Sequence, residues 1–472
     1  MNDLYDALPH SDHNDKLALL YKANCENQVA VKTPIGQTER VNIPEIVMQG
    51  GTWGPLKCSN SMDKIGKLCE TNREHLYNYK KMVQVPILTM VDDTFAIAEC
   101  GHKSVAINQF INSHIELKKL RMHTPDENGK TKCHKIHVGC GNQVCPGLLV
   151  HGTAMKEVKK DTYLRDVIRG DGKNTSSVKS RVSKGIGVIS QIMNVLESVS
   201  FGKFYFQIAL TLREAVFLNS ILTNTEVWYG LRKSEIEELE SLDRVLIRKI
   251  LSLPKTTPIE ALYLETGCPN IGTILKMRRL NFLHYLLKCV DKSVLKRFFQ
   301  VQDKFPVEDD WSVQARLDLN DFGIPSDLNY VQSKSKNSFN KLVKKQARRF
   351  AFMKFKDEQK DHSKMSKLEY KELKIQDYLL CQDITVSQAK VLLKFRTRMA
   401  NYGNNFKGTN KHITCLMCEN HPDSQEFIFE CKYNKDNLNL RGKYEDIFTH
   451  NINNEVIETL EKIYKHRECK LK

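Results

Sequence analysis

The 472-residue chain carries 72 Lys and Arg against 56 Asp and Glu, giving a formal charge of +16 and a pI near 9.1. This balance points to a polyanionic partner, with nucleic acid ahead of an anionic membrane, while a hydrophobic fraction of 41% excludes a disordered chain. The length exceeds one ordinary core, so roughly two to four domains are expected.

No apolar run of about eighteen residues occurs, so no spanning helix is expected. Met1 is followed by the polar Asn2-Asp-Leu-Tyr-Asp6, without the basic and apolar regions of a secretory signal. The fourteen cysteines are scattered, and only Cys415 and Cys418 show close ligand-like spacing. Most read as reduced thiols of a nuclear or cytoplasmic protein.

From residue 1 to about 175, short apolar runs alternate with Gly, Pro and Asn, as in an α/β or α+β domain. Val29 to Val47 predicts two short strands around Thr33-Pro-Ile-Gly36. Val83 to Glu99 predicts a hairpin, with Val83, Val85, Ile87 and Leu88 on one arm and Phe95 and Ile97 on the other. Ser104 to Leu120 has helical periodicity through Val105, Ile107, Phe110, Ile111 and Ile115, ended by the loop Pro125-Asp-Glu-Asn-Gly-Lys130. A strand is expected at Cys133 to Val138.

Beyond about residue 176 the pattern changes to long amphipathic helices, expected over roughly 178–199, 203–223 and 271–300 and forming one bundle. Ser234-Glu-Ile-Glu237 reads as a capping box, opening a helix whose Ile236, Leu239, Leu242, Leu246 and Ile250 share a face and which Pro254 stops. Residues 303 to 333, rich in Asp and holding Pro306, Gly323 and Pro325, read as a linker or loosely packed connection. Lys334 to Lys374 holds fourteen Lys and Arg against five Asp and Glu, with Phe339, Phe350, Phe352 and Phe355 interleaved. These phenylalanines suit either stacking on unpaired bases or the buried stripe of a helix, as the spacing of Phe339, Val343 and Phe350 suggests. Arg396-Thr-Arg398 invites the same two readings. His10 and His13 read as solvated surface.

Asp92-Asp93, set between two apolar runs, is a sound place to hold a divalent metal. A hairpin fixes the carboxylates, and hard oxygen ligands suit Mg²⁺ bound together with substrate phosphates. Upstream stands Gln49-Gly-Gly-Thr-Trp-Gly-Pro-Leu56; downstream stand Lys132-Cys-His-Lys-Ile-His-Val-Gly139 and Tyr163-Leu-Arg-Asp-Val-Ile168. Taken in order, these four segments resemble the reverse transcriptases of non-LTR (LINE-type) retrotransposons. Trp228-Tyr229, Pro258-Ile-Glu-Ala-Leu-Tyr-Leu-Glu265 and Arg278-Arg-Leu-Asn-Phe-Leu-His284 are similar to the thumb and connector of these elements.

The resemblance implies an α+β fold: a partial polymerase palm over 1–175, a helical thumb and connector over 176–302, a linker and basic helical segment over 303–384, and a small Cys/His unit over 385–472. It implies RNA-directed DNA synthesis by two-metal phosphoryl transfer, with an RNA template, a DNA primer and dNTPs as partners. Asp92 would be a Mg²⁺ ligand and Asp93 its supporting carboxylate. Gln49 and Gly50 would meet template and nucleotide, and Lys132 or Lys135 would lie near the triphosphate.

The family needs a third aspartate. Leu4-Tyr-Asp-Ala-Leu-Pro-His10 resembles the tail of that motif, which would place the aspartate just before Met1, and residues 11 to 24 read as the helix that follows. Asp3 is the nearest substitute. An N-terminally truncated copy, inactive as a polymerase by itself, is therefore expected. Met90-Val91 stands where the family often has an aromatic residue and alanine, and Arg165 where it generally has glycine at a tight turn.

Cys415-Leu-Met-Cys418, followed by His421 and Cys431, has the composition of a Zn²⁺ site, in which C-x2-C forms a knuckle and two further ligands close a tetrahedron. LINE-type polymerases often end in a similar cluster. The competing expectations are a non-catalytic RNA- or DNA-binding protein using the basic segment and this cluster, and a helical interaction protein without salt-sensitive nucleic-acid binding.

Overall fold

The computed structural model describes residues 73–85, 87–90, 93–117, 122–126, 130–139, 147–406, 414–438, 440–449 and 454–471, together with short stretches between 28 and 42. Gln49, Gly50 and Asp92 lie outside the described residues, as do Asp3, Asp6 and the helix expected over 11–24. The chain divides into two compact units, Met1–Gly172 and Lys173–Lys472. It is a mixed helix and sheet protein with small sheets in the first unit and a helical second unit, as an α+β reading requires.

In the first unit the described strands pair two by two. β1 (Gln28–Val29) pairs with β4 (Val41–Asn42), enclosing the pair of β2 (Lys32–Thr33) and β3 (Gly36–Gln37). The apolar run expected as one hairpin arm splits. β5 (Asn78–Tyr79) turns through Lys80 and Lys81, both at positive φ, to pair with β6 (Val83–Gln84). β7 (Leu88–Met90) separately pairs with β8 (Asp93–Phe95). Helix α1 (Gly101–Leu117) follows, and its Ile107, Ile111 and Ile115 close over Leu76 and Ile87 as the core of this unit.

β9 (His134–Lys135) runs parallel to a later strand, Lys156–Glu157. Between them β10 (Leu149–Val150) and β11 (Thr153–Ala154) form a hairpin. The Leu149 carbonyl accepts from the side chains of Asn108 at 2.8 Å and Asn112 at 2.6 Å, tying that hairpin to α1. Numbering Lys156–Glu157 as β12, the unit closes with β13 (Lys160–Tyr163) and β14 (Asp166–Arg169), a four-pair antiparallel hairpin.

The second unit is built from stripes of apolar side chains at helical spacing. α2 (Thr175–Ser198) buries Val178, Val188, Ile189, Ile192 and Leu196. α3 (Tyr205–Leu212) runs on through a π-helical turn at Arg213–Leu218. α4 (Lys233–Leu251) buries Leu239, Leu242, Leu246 and Ile250, as the periodicity predicts. Its cap falls earlier than expected, at Arg232 and not Ser234. Glu235 is buried, accepts from the Arg232 backbone N–H at 3.0 Å and also bonds the Thr175 hydroxyl at 2.6 Å, so the capping acid is Glu235 and not Glu237.

α5 (Ile259–Thr266) precedes α6 (Ile271–Lys288) and α7 (Val294–Lys304), which replace the single helix expected over 271–300. The region expected as a linker is packed: α8 (Trp311–Asp321) and α9 (Leu328–Ser333) bury Trp311, Ala315, Leu319, Phe322, Ile324 and Val331 against Leu280, Leu283 and Leu287.

The basic segment is one helix, α10 (Lys336–Gln359), capped by the Ser335 hydroxyl, which accepts from the Ser338 N–H at 3.2 Å. Phe339, Val343, Ala347, Ala351 and Phe355 form its buried stripe, and Phe339 stacks on His284 while Phe355 stacks on Tyr263. Phe339 and Phe355 therefore belong to the core and cannot stack on bases. α11 (Asp377–Leu380), α12 (Val386–Arg396), α13 (Lys432–Leu438) and α14 (Asn454–Leu471) complete the unit. No described helix is long and apolar enough to cross a membrane.

Buried ion pairs hold the helices in register. Arg213 and Asp243, both fully buried, make two charge-assisted bonds of 2.7 and 2.6 Å. Glu265 accepts from Tyr370 at 2.8 Å, Tyr378 at 2.9 Å and Arg396 at 3.2 Å. Arg279 pairs with Asp318 and also donates to the Trp228 carbonyl at 3.2 Å. Trp228, Glu265 and Arg279, which carry the weaker part of the sequence resemblance, thus all bear on core architecture.

Candidate functional site

Two groups of side chains carry chemistry, one in each unit. In the first unit Met90 pairs with Asp93, and Val91 and Asp92 stand in sequence between these paired ends. Asp93 is exposed. Two residues along, Phe95 packs on Tyr163, with ring centroids 5.1 Å apart and planes at 32°. Burial raises the Tyr163 phenol above its ordinary range, and the charge of Asp93 raises it further. The hairpin of Asp93 and the hairpin of Tyr163 therefore share one local environment.

The second hairpin turns through Leu164 at φ 47° and Arg165 at φ 70°. Two successive positive φ values make the twist of a type I′ turn, which glycine or asparagine normally supplies. Neither Leu nor Arg escapes the steric cost of that conformation.

Of the two lysines singled out in the sequence, Lys132 is exposed. Lys135 is mostly covered, and its ammonium lies 3.4 Å from Glu157 across the parallel strand pair. Next to it His134 Nδ1 lies 2.6 Å from Asp161.

In the second unit the structure brings Cys415, Cys418 and Cys431 together. Their sulfurs all lie within 4.8 Å of one another, and they form a group that could hold a metal ion. Cys415 and Cys431 are 3.9 Å apart, far beyond a disulfide bond, and all three are free thiols. His421 is not in this group. Its ring stacks on Phe427 at 5.8 Å with planes at 1°, although it lines the same small cavity as Cys415 and Cys431.

The local chain explains the convergence. The Cys415 N–H donates to the His421 carbonyl at 2.7 Å, and Thr414 bridges Pro422, so residues 415 to 421 fold back as one tight loop. The Met417 N–H points at the Cys415 sulfur at 3.5 Å. Burial works against the Cys418 thiolate, but backbone N–H groups of Asn420 and His421 and hydrogen bonds with Cys431 and Cys415 hold its thiol below the ordinary range. Burial, with the neighbouring sulfurs, pushes the Cys431 thiol up to about 12.

The loop is fastened from behind by residues that no sequence motif announced. Arg467 on α14 pairs with Asp423 and covers the Tyr402 ring, 4.0 Å from its centroid. Asp423 accepts from the Gly403 N–H at 2.6 Å. Gln425, fully buried, donates to the Phe395 carbonyl at 2.9 Å and the Tyr444 hydroxyl at 2.7 Å. These partners are distant in sequence, so no local pattern could have paired them.

No protein-family model matches the chain, and no curated protein matches it.

Proposed function

We propose that the chain is a retrotransposon-derived protein of the reverse-transcriptase type, a relative of RNA-directed DNA polymerases. On this reading unit Met1–Gly172 corresponds to part of the palm and the helical unit to the thumb, connector and Cys-rich tail. The observation that carries it is the Phe95–Tyr163 contact. A polymerase must hold its metal-binding carboxylates beside the primer terminus. Tyr163-Leu-Arg-Asp-Val-Ile168 resembles the family's primer-grip segment, and its hairpin, far from that of Asp93 in sequence, is a neighbour of it in this unit.

Asp92 and Asp93 would hold Mg²⁺, which in such enzymes activates a hydroxyl and steadies the leaving oxygen, with two ions about 3.5–4 Å apart. The exposed carboxylate of Asp93 suits a hard cation that keeps several waters. Gln49 and Gly50 would lie at template and nucleotide. Lys132 is the better candidate for the triphosphate, because Lys135 is paired with Glu157. Only two of the family's three carboxylates have a clear counterpart in these residues, so polymerisation by the 472-residue polypeptide alone is not expected.

Cys415, Cys418 and Cys431 would hold Zn²⁺, with His421 as the candidate fourth ligand. A Zn–S bond of about 2.3 Å sets the edge of a tetrahedron at about 3.8 Å, which the 3.9 Å between Cys415 and Cys431 fits.

A second reading, a non-catalytic nucleic-acid binder, is favoured by the outer face of α10. Lys341, Lys344, Lys345, Arg348 and Arg349 are exposed and make no ion pair among the described residues.

The test is salt-dependent binding of an RNA template annealed to a DNA primer, followed by Mg²⁺-dependent extension, for the chain and for Asp92→Ala. Binding by both without extension is expected. Extension that Asp92→Ala abolishes would establish the polymerase reading, and absence of binding at low salt would sink both readings.

A further inference from the structure

A cavity of about 400 Å³ lies in the helical unit, lined by none of the clustered cysteines. Its lining comes from distant parts of the chain: Lys203 and Phe204 at the turn before α3, Arg348 from α10, and Lys374 and Ile375 from the segment before α11. Gly267, at φ 66°, forms part of the wall. A Cβ there would meet the Lys374 and Ile375 backbone at 2.2 Å, so only glycine allows this close approach.

The chemistry of the lining is specific. Lys203 and Arg348 are exposed and have no ion-pair partner among the described residues. Lys374 has only long contacts, 3.6 Å to Asp377 and 3.9 Å to Glu372, both with exposed carboxylates. Among these cations Phe204 leaves 54% of its surface exposed. Gln207 and Glu214 add groups that can hydrogen-bond a base edge. Arg348 also continues the basic face of α10 into the cavity.

We infer that this cavity takes an unpaired nucleotide of a single-stranded nucleic acid, with its base on Phe204 and its flanking phosphates at Lys203, Arg348 and Lys374. Cations tracking the backbone beside an aromatic platform are the usual means of holding single strands. A duplex offers no free base face, because each base is already stacked. The inference rests on the nucleic-acid reading above, and it assigns a location and a strand preference which that reading does not contain.

Anisotropy titrations with a labelled oligouridylate, its deoxy counterpart and a duplex test it. The variants are Phe204→Ala, the triple Lys203→Ala/Arg348→Ala/Lys374→Ala, and the control Lys249→Ala/Lys255→Ala, outside both the cavity and the basic face of α10. All the substituted side chains are exposed, and an unchanged thermal melt confirms folding.

Phe204→Ala is expected to weaken single-strand binding about tenfold and duplex binding far less. The triple variant is expected to flatten the slope of log K against log salt by about two units, at about 0.7 for each phosphate that is no longer neutralised. Equal effects on RNA and DNA would place recognition on base and phosphate, whereas an effect on RNA alone would add a 2′-hydroxyl contact. Wild type and cavity variants binding alike would overturn the cavity assignment and leave the reverse-transcriptase reading standing. No salt-sensitive binding by the wild type would overturn both. Tighter binding of a polyglutamate peptide than of the oligouridylate would overturn the inference in favour of an acidic protein partner.

Discussion

Phe95 and Tyr163, sixty-eight positions apart in sequence, pack ring to ring at 5.1 Å and join the hairpin of Asp93 to the hairpin that turns at Arg165. Burial and then the Asp93 charge raise the Tyr163 phenol. Both favour the neutral form, burial by desolvation and Asp93 by like-charge repulsion of a phenolate. Asp93→Asn should therefore lower the Tyr163 titration part of the way, leaving the burial contribution. Ultraviolet titration, with Tyr163→Phe as the blank, reads this directly. An unchanged curve would mean that the two hairpins do not share a field.

The Arg165 turn gives a second expectation. A side chain in the left-handed region costs roughly 1–2 kcal/mol relative to its right-handed conformation, and glycine largely escapes this while gaining unfolded-state freedom. Arg165→Gly should therefore stabilise the β13–β14 hairpin by about 1 kcal/mol. Slower amide exchange at Lys160 to Arg169 would show it. Faster exchange would mean that the arginine makes a compensating contact.

That turn also shows what the sequence made legible. The resemblance called for glycine at position 165, and the backbone there has the φ of 70° that glycine favours. Long helices were equally readable, because Leu239, Leu242, Leu246 and Ile250 repeat at the helical period whatever surrounds them. The packed region 311–333 was not. Its Asp, Pro and Gly content resembles a linker, and Trp311, Ala315, Leu319 and Phe322 hold too short a stripe to outweigh it. Periodicity also fails to place the break between α6 and α7, since Cys289 and Val290 continue the apolar pattern without a proline or glycine. The convergence of three cysteines could be suspected from C-x2-C, but its fastening by Asp423, Gln425 and Arg467 could not, because charged and amide side chains are read as surface.

The same blindness applies to Arg213 and Asp243. Burial lowers the guanidinium's affinity for its proton, but Asp243 more than offsets this and holds Arg213 above its ordinary range. Removing one partner leaves an uncompensated charge in the core, so Asp243→Ala should destabilise the helical unit by about 3–5 kcal/mol. The double replacement Arg213→Met/Asp243→Leu should cost much less. Urea unfolding followed by circular dichroism compares them. Equal losses for the single and double variants would show that the pair is held by packing and not by charge.

Metal binding at Cys415, Cys418 and Cys431 has the most direct spectroscopic signature. Cobalt(II) should produce an intense thiolate-to-metal band, and Cys418→Ser should weaken it while leaving the fold of the helical unit intact. Because every thiol must lose its proton on binding, affinity should fall as pH falls. Cys431 keeps this dependence up to a higher pH than Cys418 does, since its thiol is pushed up to about 12 while that of Cys418 is held below the ordinary range. His421→Ala separates two geometries. A shifted visible spectrum would mean that the imidazole leaves Phe427 to complete the tetrahedron. An unchanged spectrum would leave the fourth position to water, as an open site requires. Absence of any charge-transfer band would end the metal reading, and the three thiols would then serve only to pack the loop against α13 and α14.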